Sequence, residues 1–95
     1  MKTIFDAKLL VVDDEPEIIN LLKTILHQAG FAQVISAENC RQARELFALE
    51  KPDGVIFDVT LPDGDGFSLM QELRQQSNVP MLFLSARDED ENRLL

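Results

Sequence analysis

The sequence predicts an α/β fold in which helices cover both faces of a doubly wound parallel sheet. Short apolar runs alternate with longer segments whose apolar residues recur at helical spacing, and this alternation is typical of right-handed βαβ crossovers. Three of the runs, LLVV, VIF and MLFL, are apolar at every position, which is expected of strands buried on both faces. The QVISA run is mixed and is therefore expected at an edge of the sheet.

The first half of the chain predicts two strands around one helix. KLLVV, over Lys8–Val12, predicts the first strand, and AQVISA, over 32–37, predicts the second. The helix between them carries Pro16 in its first turn, where proline is tolerated, and ends at Gly30, a common helix stop. Its predicted buried stripe follows the i, i+3, i+4 rule and consists of Ile18, Leu21, Leu22, Ile25 and Ala29.

The second helix is predicted over ENCRQARELFALEKP. Asn39 with Gln42 three residues later resembles a helix-capping pair, and Pro52 ends the segment. The predicted inward face consists of Ala43, Leu46 and Phe47, with Leu49 as a further candidate.

The rest of the chain predicts a strand, a helix and a strand. GVIFD, over Gly54–Asp58, is the third strand, and VPMLFLS, over 79–85, is the fourth. The helix over 67–77 has Phe67, Met70 and Leu73 at helical spacing, and we expect these three side chains in the core.

Composition limits the classes of function. With 95 residues, of which 45% are hydrophobic, we expect one domain over residues 1–95. A net charge of −8 argues against direct contact with nucleic acid or an anionic membrane, and favours cations or basic proteins as partners. Cys40 and His27 are the single residues of their types, so no internal disulfide or zinc cluster is expected. Without a signal-peptide core or an apolar span, the expected location is the cytoplasm.

Three acidic residues and one serine stand at the carboxyl ends of the predicted strands. Asp13 and Asp14 follow the first strand, Asp58 ends the third and Ser85 ends the fourth, and ligands of open parallel sheets collect beyond the carboxyl ends of the strands. Two unit charges about 4 Å apart repel by roughly 4 kcal/mol at a protein surface, so converging carboxylates need a proton, a basic residue or a divalent metal. Oxygen ligands with exchangeable waters suit Mg²⁺.

An acidic pair before a helix can also serve only as a cap. For Asp13 and Asp14 alone, capping and a favourable helix-dipole interaction would be sufficient explanations. Asp58 has no such role, because the next helix begins only near Asp65 or Gly66. The three acids together therefore favour a site.

Three motifs, in the right order on the right elements, resemble one known family. LLVVDDEPEI, GVIFDVTLPDGDGF and VPMLFLSAR are similar to the receiver domain of bacterial two-component response regulators, and the resemblance extends over all 95 residues. It implies that Asp58 accepts a phosphoryl group from a sensor histidine kinase. It also implies an Mg²⁺ site formed by Asp58, by Asp14 directly, by Asp13 largely through water, and by the backbone carbonyl of Thr60. Ser85 occupies the position of the family's switch hydroxyl.

The resemblance also implies a fold and partners. The implied fold is flavodoxin-like with strand order 2-1-3-4, truncated before the fifth strand, its lysine and the last helix, because the sequence ends at Leu95. A bare fourth strand would favour a homodimer or a strand-exchanged oligomer. Transcription regulation is implied for a longer parent protein, with DNA bound through an output domain that this sequence lacks.

Alternative functions fit the motifs less well. A Mg²⁺-dependent phosphatase of the haloacid dehalogenase type needs a second aspartate two residues after the nucleophile, where this chain has Thr60. EF-hand spacing fails in DGDGF, because the fifth position is Phe67 when the loop starts at Asp63 and Pro62 when it starts at Asp58. A fragment that cannot switch, acting only as an interaction module, is the remaining alternative.

Overall fold

A parallel four-stranded sheet forms the centre of the fold in a computed structural model that describes residues 3–84. The strands are β1 (Lys8–Val12), β2 (Gln33–Ala37), β3 (Gly54–Asp58), β4 (Thr60–Leu61), β5 (Gly64–Asp65) and β6 (Met81–Leu84). The four strands of the sheet lie in the order β2-β1-β3-β6, and β4 and β5 form a separate antiparallel hairpin. Because the hairpin intervenes in the chain, the fourth strand of the predicted order is β6, and the order 2-1-3-4 is confirmed.

Within residues 3–84, three helices connect the strands: α1 (Pro16–Ala29), α2 (Cys40–Glu50) and α3 (Gly66–Arg74), and a 3-10 turn spans Ile4–Asp6. Gly30 ends α1 with a φ of 116°, a left-handed conformation that glycine adopts without a steric penalty. Asn39 caps α2, since its Oδ1 accepts the backbone N–H of Gln42 at 2.8 Å. Both helix ends agree with the capping residues of the sequence, whereas α3 is shorter than predicted.

The core fills the space between the sheet and the helices. Phe57 of β3 has no exposed surface and stacks on Phe83 of β6 with ring centroids 5.4 Å apart. Burial of such side chains is the main favourable contribution to folding, at about 25 cal/mol per Å² of apolar surface. The buried cluster comprises Leu10, Val12, Ala37, Cys40, Ala43, Phe47, Val55, Phe57, Leu61, Leu69 and Leu73.

The predicted buried stripe of α1 is wrong in part. Leu21, Ile25 and Ala29 are exposed, while Ile19 is buried and Ile18 and Leu22 are partly buried. Helix α1 carries apolar residues on more than one face, and two overlapping stripes satisfy the helical period. Packing against the sheet decides which of them turns inward.

Three further predictions of burial are also wrong. Leu49 at the end of α2 is 75% exposed, and Phe67 at the start of α3 is 44% exposed. Strand β6 is not buried on both faces, because Leu82 and Leu84 are exposed in alternation with the half-buried Met81 and Phe83. Apolar character alone did not indicate which of these side chains face the core.

Some predictions lie beyond the described part of the chain. Ser85, the predicted last residue of the fourth strand, lies outside residues 3–84. The predicted homodimer or strand-exchanged oligomer stays a prediction. Among the described helices, none has the length and hydropathy that crossing a membrane requires.

Burial predicts opposite outcomes for two helical leucines. Leu73 is 1% exposed and Leu49 is 75% exposed. Leu73→Ala should lower the free energy of unfolding by about 2–5 kcal/mol, because it removes buried methyl groups and leaves a cavity. Leu49→Ala should change it by less than about 0.5 kcal/mol. Urea unfolding of both variants checks this, and equal losses would contradict the described core.

Candidate metal site

The register of the sheet brings three carboxylates to one edge. Val12 at the end of β1 pairs with Phe57 in the adjacent parallel strand β3, so the residues that follow both positions leave the sheet side by side. Carboxylate oxygens of Asp13, Asp14 and Asp58 lie within 4.8 Å of one another. The structure therefore brings together the three acids that the sequence placed at the strand ends.

Two of the three carboxylates are buried. Asp13 is 3% exposed and Asp58 is 8% exposed, whereas Asp14 is exposed to solvent. Backbone hydrogen bonds hold Asp13 in place: its N–H donates to the carbonyl of Ala37 at 3.1 Å, and its Oδ1 accepts the N–H of Glu15 at 2.9 Å. The cluster thus has a rigid inner side and one side that faces water.

Burial and charge act together on Asp13. Loss of solvent raises the pKa of the Asp13 carboxyl above its ordinary value, and the neighbouring charges of Asp58 and Asp14 raise it further. The hydrogen bond from the N–H of Glu15 opposes this rise in pKa. Keeping Asp13 ionised at neutral pH therefore lowers the stability of the folded protein.

The donor set of the cluster fits a hard divalent cation. All three groups offer carboxylate oxygens, the ligands that Mg²⁺ and Ca²⁺ prefer. Within residues 3–84 no basic side chain forms an ion pair with them, so a cation would relieve their mutual repulsion. The ion pairs of this part of the chain are Lys8–Glu50, Arg41–Glu45 and Arg44–Glu72.

The loop after Asp58 is held close to the cluster. The N–H of Gly66 donates to the carbonyl of Val59 at 2.7 Å, which closes the β4–β5 hairpin at its base. A Cβ at Gly66 would collide with the backbone carbonyl oxygen of Asp58 and would lie 3.1 Å from the Phe83 ring. Glycine is therefore required at this position by a close approach of two backbone segments.

The remaining predicted site residues stand in different positions relative to the cluster. Thr60 begins β4, two residues after Asp58, and its side chain is exposed. Ser85 lies outside the described residues. Cys40 is buried. Burial, and to a smaller extent the contact with Asp63, raise the pKa of its thiol to about 11. A thiol with this pKa is a poor nucleophile at neutral pH.

Sequence reasoning missed one residue near the site, Asp63. Its carboxylate accepts the backbone N–H groups of Cys40 and Arg41 at the start of α2, at 2.7 and 3.1 Å. These bonds, led by that from Cys40, lower the pKa of Asp63. The acid within LPDGDG was a visible signal, but the sequence offers no way to connect it to a helix that starts 23 residues earlier.

Comparisons with known proteins agree with this arrangement. The family described as "Response regulator receiver domain" matches residues 9–94. The alkaline phosphatase synthesis transcriptional regulatory protein PhoP of Bacillus subtilis is 42% identical over 91 residues, which are 95% of this chain and 38% of that protein. The KDP operon transcriptional regulatory protein KdpE of Escherichia coli is 41% identical over 88 residues, 93% of this chain and 39% of that protein. The chain thus spans somewhat more than a third of these relatives.

Two solved structures share the fold. The BeF3-activated N-terminal receiver domain of Klebsiella pneumoniae RstA has a TM-score of 0.79 and 35% identity, over 90% of this chain and 72% of that one. The chemotaxis response regulator CheY4 of Vibrio cholerae has a TM-score of 0.81 and 31% identity, over 93% of this chain and 75% of that one. Both similarities cover most of the described sheet and helices.

The raised pKa of Asp13 predicts a dependence of stability on pH. Because the folded state binds the proton more tightly than the unfolded state, stability falls as pH rises from the unfolded pKa through the folded pKa. In metal-free buffer, Asp13→Asn should therefore raise the free energy of unfolding at pH 7 by about 1–3 kcal/mol, less than the roughly 4 kcal/mol of one bare charge pair.

The gain should shrink below the unfolded pKa, where Asp13 is protonated in both states. Urea unfolding at pH 7 and near pH 3 measures it. Glu45→Gln, which neutralises an exposed acid on α2, is the control and should show little gain at either pH. A loss of stability in Asp13→Asn at pH 7 would contradict the assigned cause.

Proposed function

The chain belongs to the response regulator receiver domain family, and on that premise we propose that it acts as one receiver domain whose Asp58 accepts a phosphoryl group. The observation that carries this proposal is the cluster of Asp13, Asp14 and Asp58, whose carboxylate oxygens lie within 4.8 Å of one another at the carboxyl edge of the sheet. Asp58 ends β3 at the centre of this edge, between the ends of β1 and β6.

The reaction is a transfer between two nucleophiles. A carboxylate oxygen of Asp58 attacks the phosphorus of a phosphohistidine, the P–N bond breaks, and the imidazole leaves and takes up a proton. The product is an aspartyl phosphate, a covalent intermediate of the kind that carboxylate nucleophiles form. The chain thus assists its own phosphorylation, and water later removes the group.

We assign the metal of this reaction as Mg²⁺. Asp14, Asp58 and the backbone carbonyl of Thr60 would bind it, with Asp13 acting largely through water. When bound, the ion neutralises charge that develops on the transferred group. Support comes from the all-oxygen donor set, from the exposed Asp14, and from the hairpin that starts at Thr60 directly beside the cluster.

Ser85 is the proposed switch residue. Leu84 pairs with Asp58 in the register of β6 on β3, and Ser85 is the next residue in the sequence. A phosphoryl group on Asp58 would add a charge of about −1.5 to −2, which attracts a hydroxyl donor. The hydroxyl of Ser85 would then turn toward the phosphoryl group and bias a two-state element of the fold.

The biological role proposed for the whole protein is regulation of transcription in answer to a sensor histidine kinase. PhoP and KdpE are named as transcriptional regulatory proteins, and this chain corresponds to 38% and 39% of their lengths. In the proposal, the chain receives the signal, and DNA is bound by a part of the parent protein that this chain does not cover.

Phosphorylation tests the acceptor directly. Incubation with acetyl phosphate and Mg²⁺ should add one phosphoryl group per chain by intact mass, and Asp58→Asn should abolish it. Asp65→Asn removes another carboxylate near the cluster, the cap of α3, and should leave the modification in place. A phosphoryl group that persists in Asp58→Asn would contradict the assignment.

Metal binding should stabilise the fold. At a Mg²⁺ concentration ten times the dissociation constant, binding raises the free energy of unfolding by about 1.4 kcal/mol. Asp14→Asn should remove most of this gain, because it takes away the exposed ligand. Beryllofluoride, named with the RstA structure, should add a further Mg²⁺-dependent rise in the unfolding midpoint. The same midpoint with and without Mg²⁺ would overturn the metal assignment.

A further inference from the structure

One carboxylate connects the hairpin beside the metal site to the start of α2. Asp63, in the turn between β4 and β5, accepts the N–H of Cys40 at 2.7 Å through Oδ1 and the N–H of Arg41 at 3.1 Å through Oδ2. We call this pair of hydrogen bonds the hairpin clamp. Bonds from N–H groups to a carboxylate are charge-assisted, and at a helix start they also benefit from the helix dipole.

Packing reinforces the clamp on both sides. Leu61 of β4 belongs to the buried core, so its side chain fixes one strand of the hairpin against the rest of the fold. Gly64 lies against Cys40 closely enough that an added Cβ would be 3.1 Å from the Cys40 sulfur. The hairpin therefore covers the thiol at the start of α2, and Cys40 is only 2% exposed.

The start of α2 is attached to the acidic cluster by a second route. The N–H of Asp13 donates to the carbonyl of Ala37, the last residue of β2. Three residues later Cys40 begins α2 and donates to Asp63. The clamp thus closes a ring of contacts that runs from Asp13 through the start of α2 and the hairpin back to Asp58.

We propose that Asp63 is a positioning residue for the metal site: the hairpin clamp holds the segment that begins at Thr60 in the place where its carbonyl binds Mg²⁺. This inference rests on the proposed function, because it takes Thr60 as a ligand. Antiparallel pairing of Thr60 with Asp65 and of Leu61 with Gly64 transmits the position of the turn to Thr60. Asp63 itself does not touch the reacting atoms.

The coupling must act in both directions. If the closed clamp raises the affinity for Mg²⁺, bound Mg²⁺ must by thermodynamic linkage favour the closed clamp by the same factor. Cys40 is a natural probe of whether the hairpin clamp is closed, because it is the single cysteine of the chain and lies beneath the hairpin. A thiol reagent reaches it mainly when the hairpin lifts.

The first measurement is the Mg²⁺ dissociation constant by calorimetry. Residues that orient a metal ligand change affinity by about 10–100-fold when replaced. Asp63 acts through the backbone of one ligand among several, so we expect Asp63→Asn to weaken Mg²⁺ binding by about three- to tenfold, and Asp63→Ala by at least as much. Unchanged affinity in both variants would overturn the inference.

A matched control is available at the opposite edge of the sheet. Asp53 precedes β3, and its Oδ2 accepts the N–H of Lys8 at 2.8 Å, another carboxylate bond between distant segments. Asp53→Asn removes the same number of charges and the same type of contact. It should lower the unfolding midpoint while leaving the affinity for Mg²⁺ within about twofold of that of the unmodified chain. If Asp53→Asn instead weakened Mg²⁺ binding as much as Asp63→Asn does, general destabilisation would explain the effect and the positioning role would be overturned.

The second measurement is the rate of Cys40 alkylation under folding conditions. Without Mg²⁺, Asp63→Asn should be alkylated faster than the unmodified chain and than Asp53→Asn. Because Asp63 also raises the pKa of the Cys40 thiol, the decisive comparison is that of each chain with and without Mg²⁺. Saturating Mg²⁺ should slow alkylation of the unmodified chain but not of Asp63→Asn. If Asp63 acted on the cation only through its long-range charge, Asp63→Asn would still bind Mg²⁺ more weakly, but Mg²⁺ would not slow alkylation of Cys40 in the unmodified chain. That result would overturn the positioning role.

The proposed metal site and the positioning role of Asp63 can be overturned separately. If the unmodified chain binds no Mg²⁺, or if Asp14→Asn binds it equally well, the proposed metal site falls and the inference falls with it. If Asp14→Asn loses Mg²⁺ binding while Asp63→Asn and Asp63→Ala keep it, only the role of Asp63 is overturned.

Discussion

Mutual repulsion among three carboxylates is the constraint on which this structure depends. Parallel pairing of β1 with β3 brings Asp13 and Asp58 to the same edge of the sheet, and Asp14 completes a cluster within 4.8 Å. The arrangement costs stability in the metal-free protein, because two of the acids are also buried. The apolar strands beneath must offset that cost. The same unfavourable charge makes the edge a receptor for a cation.

The surroundings of the cluster are rigid where rigidity is useful. Asp13 is fixed by two backbone hydrogen bonds, and Gly66 allows the loop after Asp58 to return closely to that residue's carbonyl. The inferred clamp by Asp63 extends this rigidity to the hairpin. A site whose ligands are held in place before the ion arrives loses less entropy on binding.

Predictions from local patterns succeeded where the pattern had a single physical solution. The left-handed Gly30 and the cap at Asn39 agree with the structure because short-range hydrogen bonding decides them. Burial was harder to predict. Leu21, Leu49 and Phe67 are exposed although their spacing suited a buried face, because a helix with several apolar faces can be rotated until it packs best against the sheet.

The sequence by itself determined the βαβ order, the carboxyl ends of the first three strands and the acids at the ends of the first and third, because alternation and periodicity are local properties of the chain. It also sufficed for the resemblance to a receiver domain, through three motifs of fixed spacing. Only the tertiary structure decided which helix faces turn inward and that Asp63 contacts the start of α2. Those contacts join residues that are far apart in the chain, and local sequence preferences do not show which distant residues will meet.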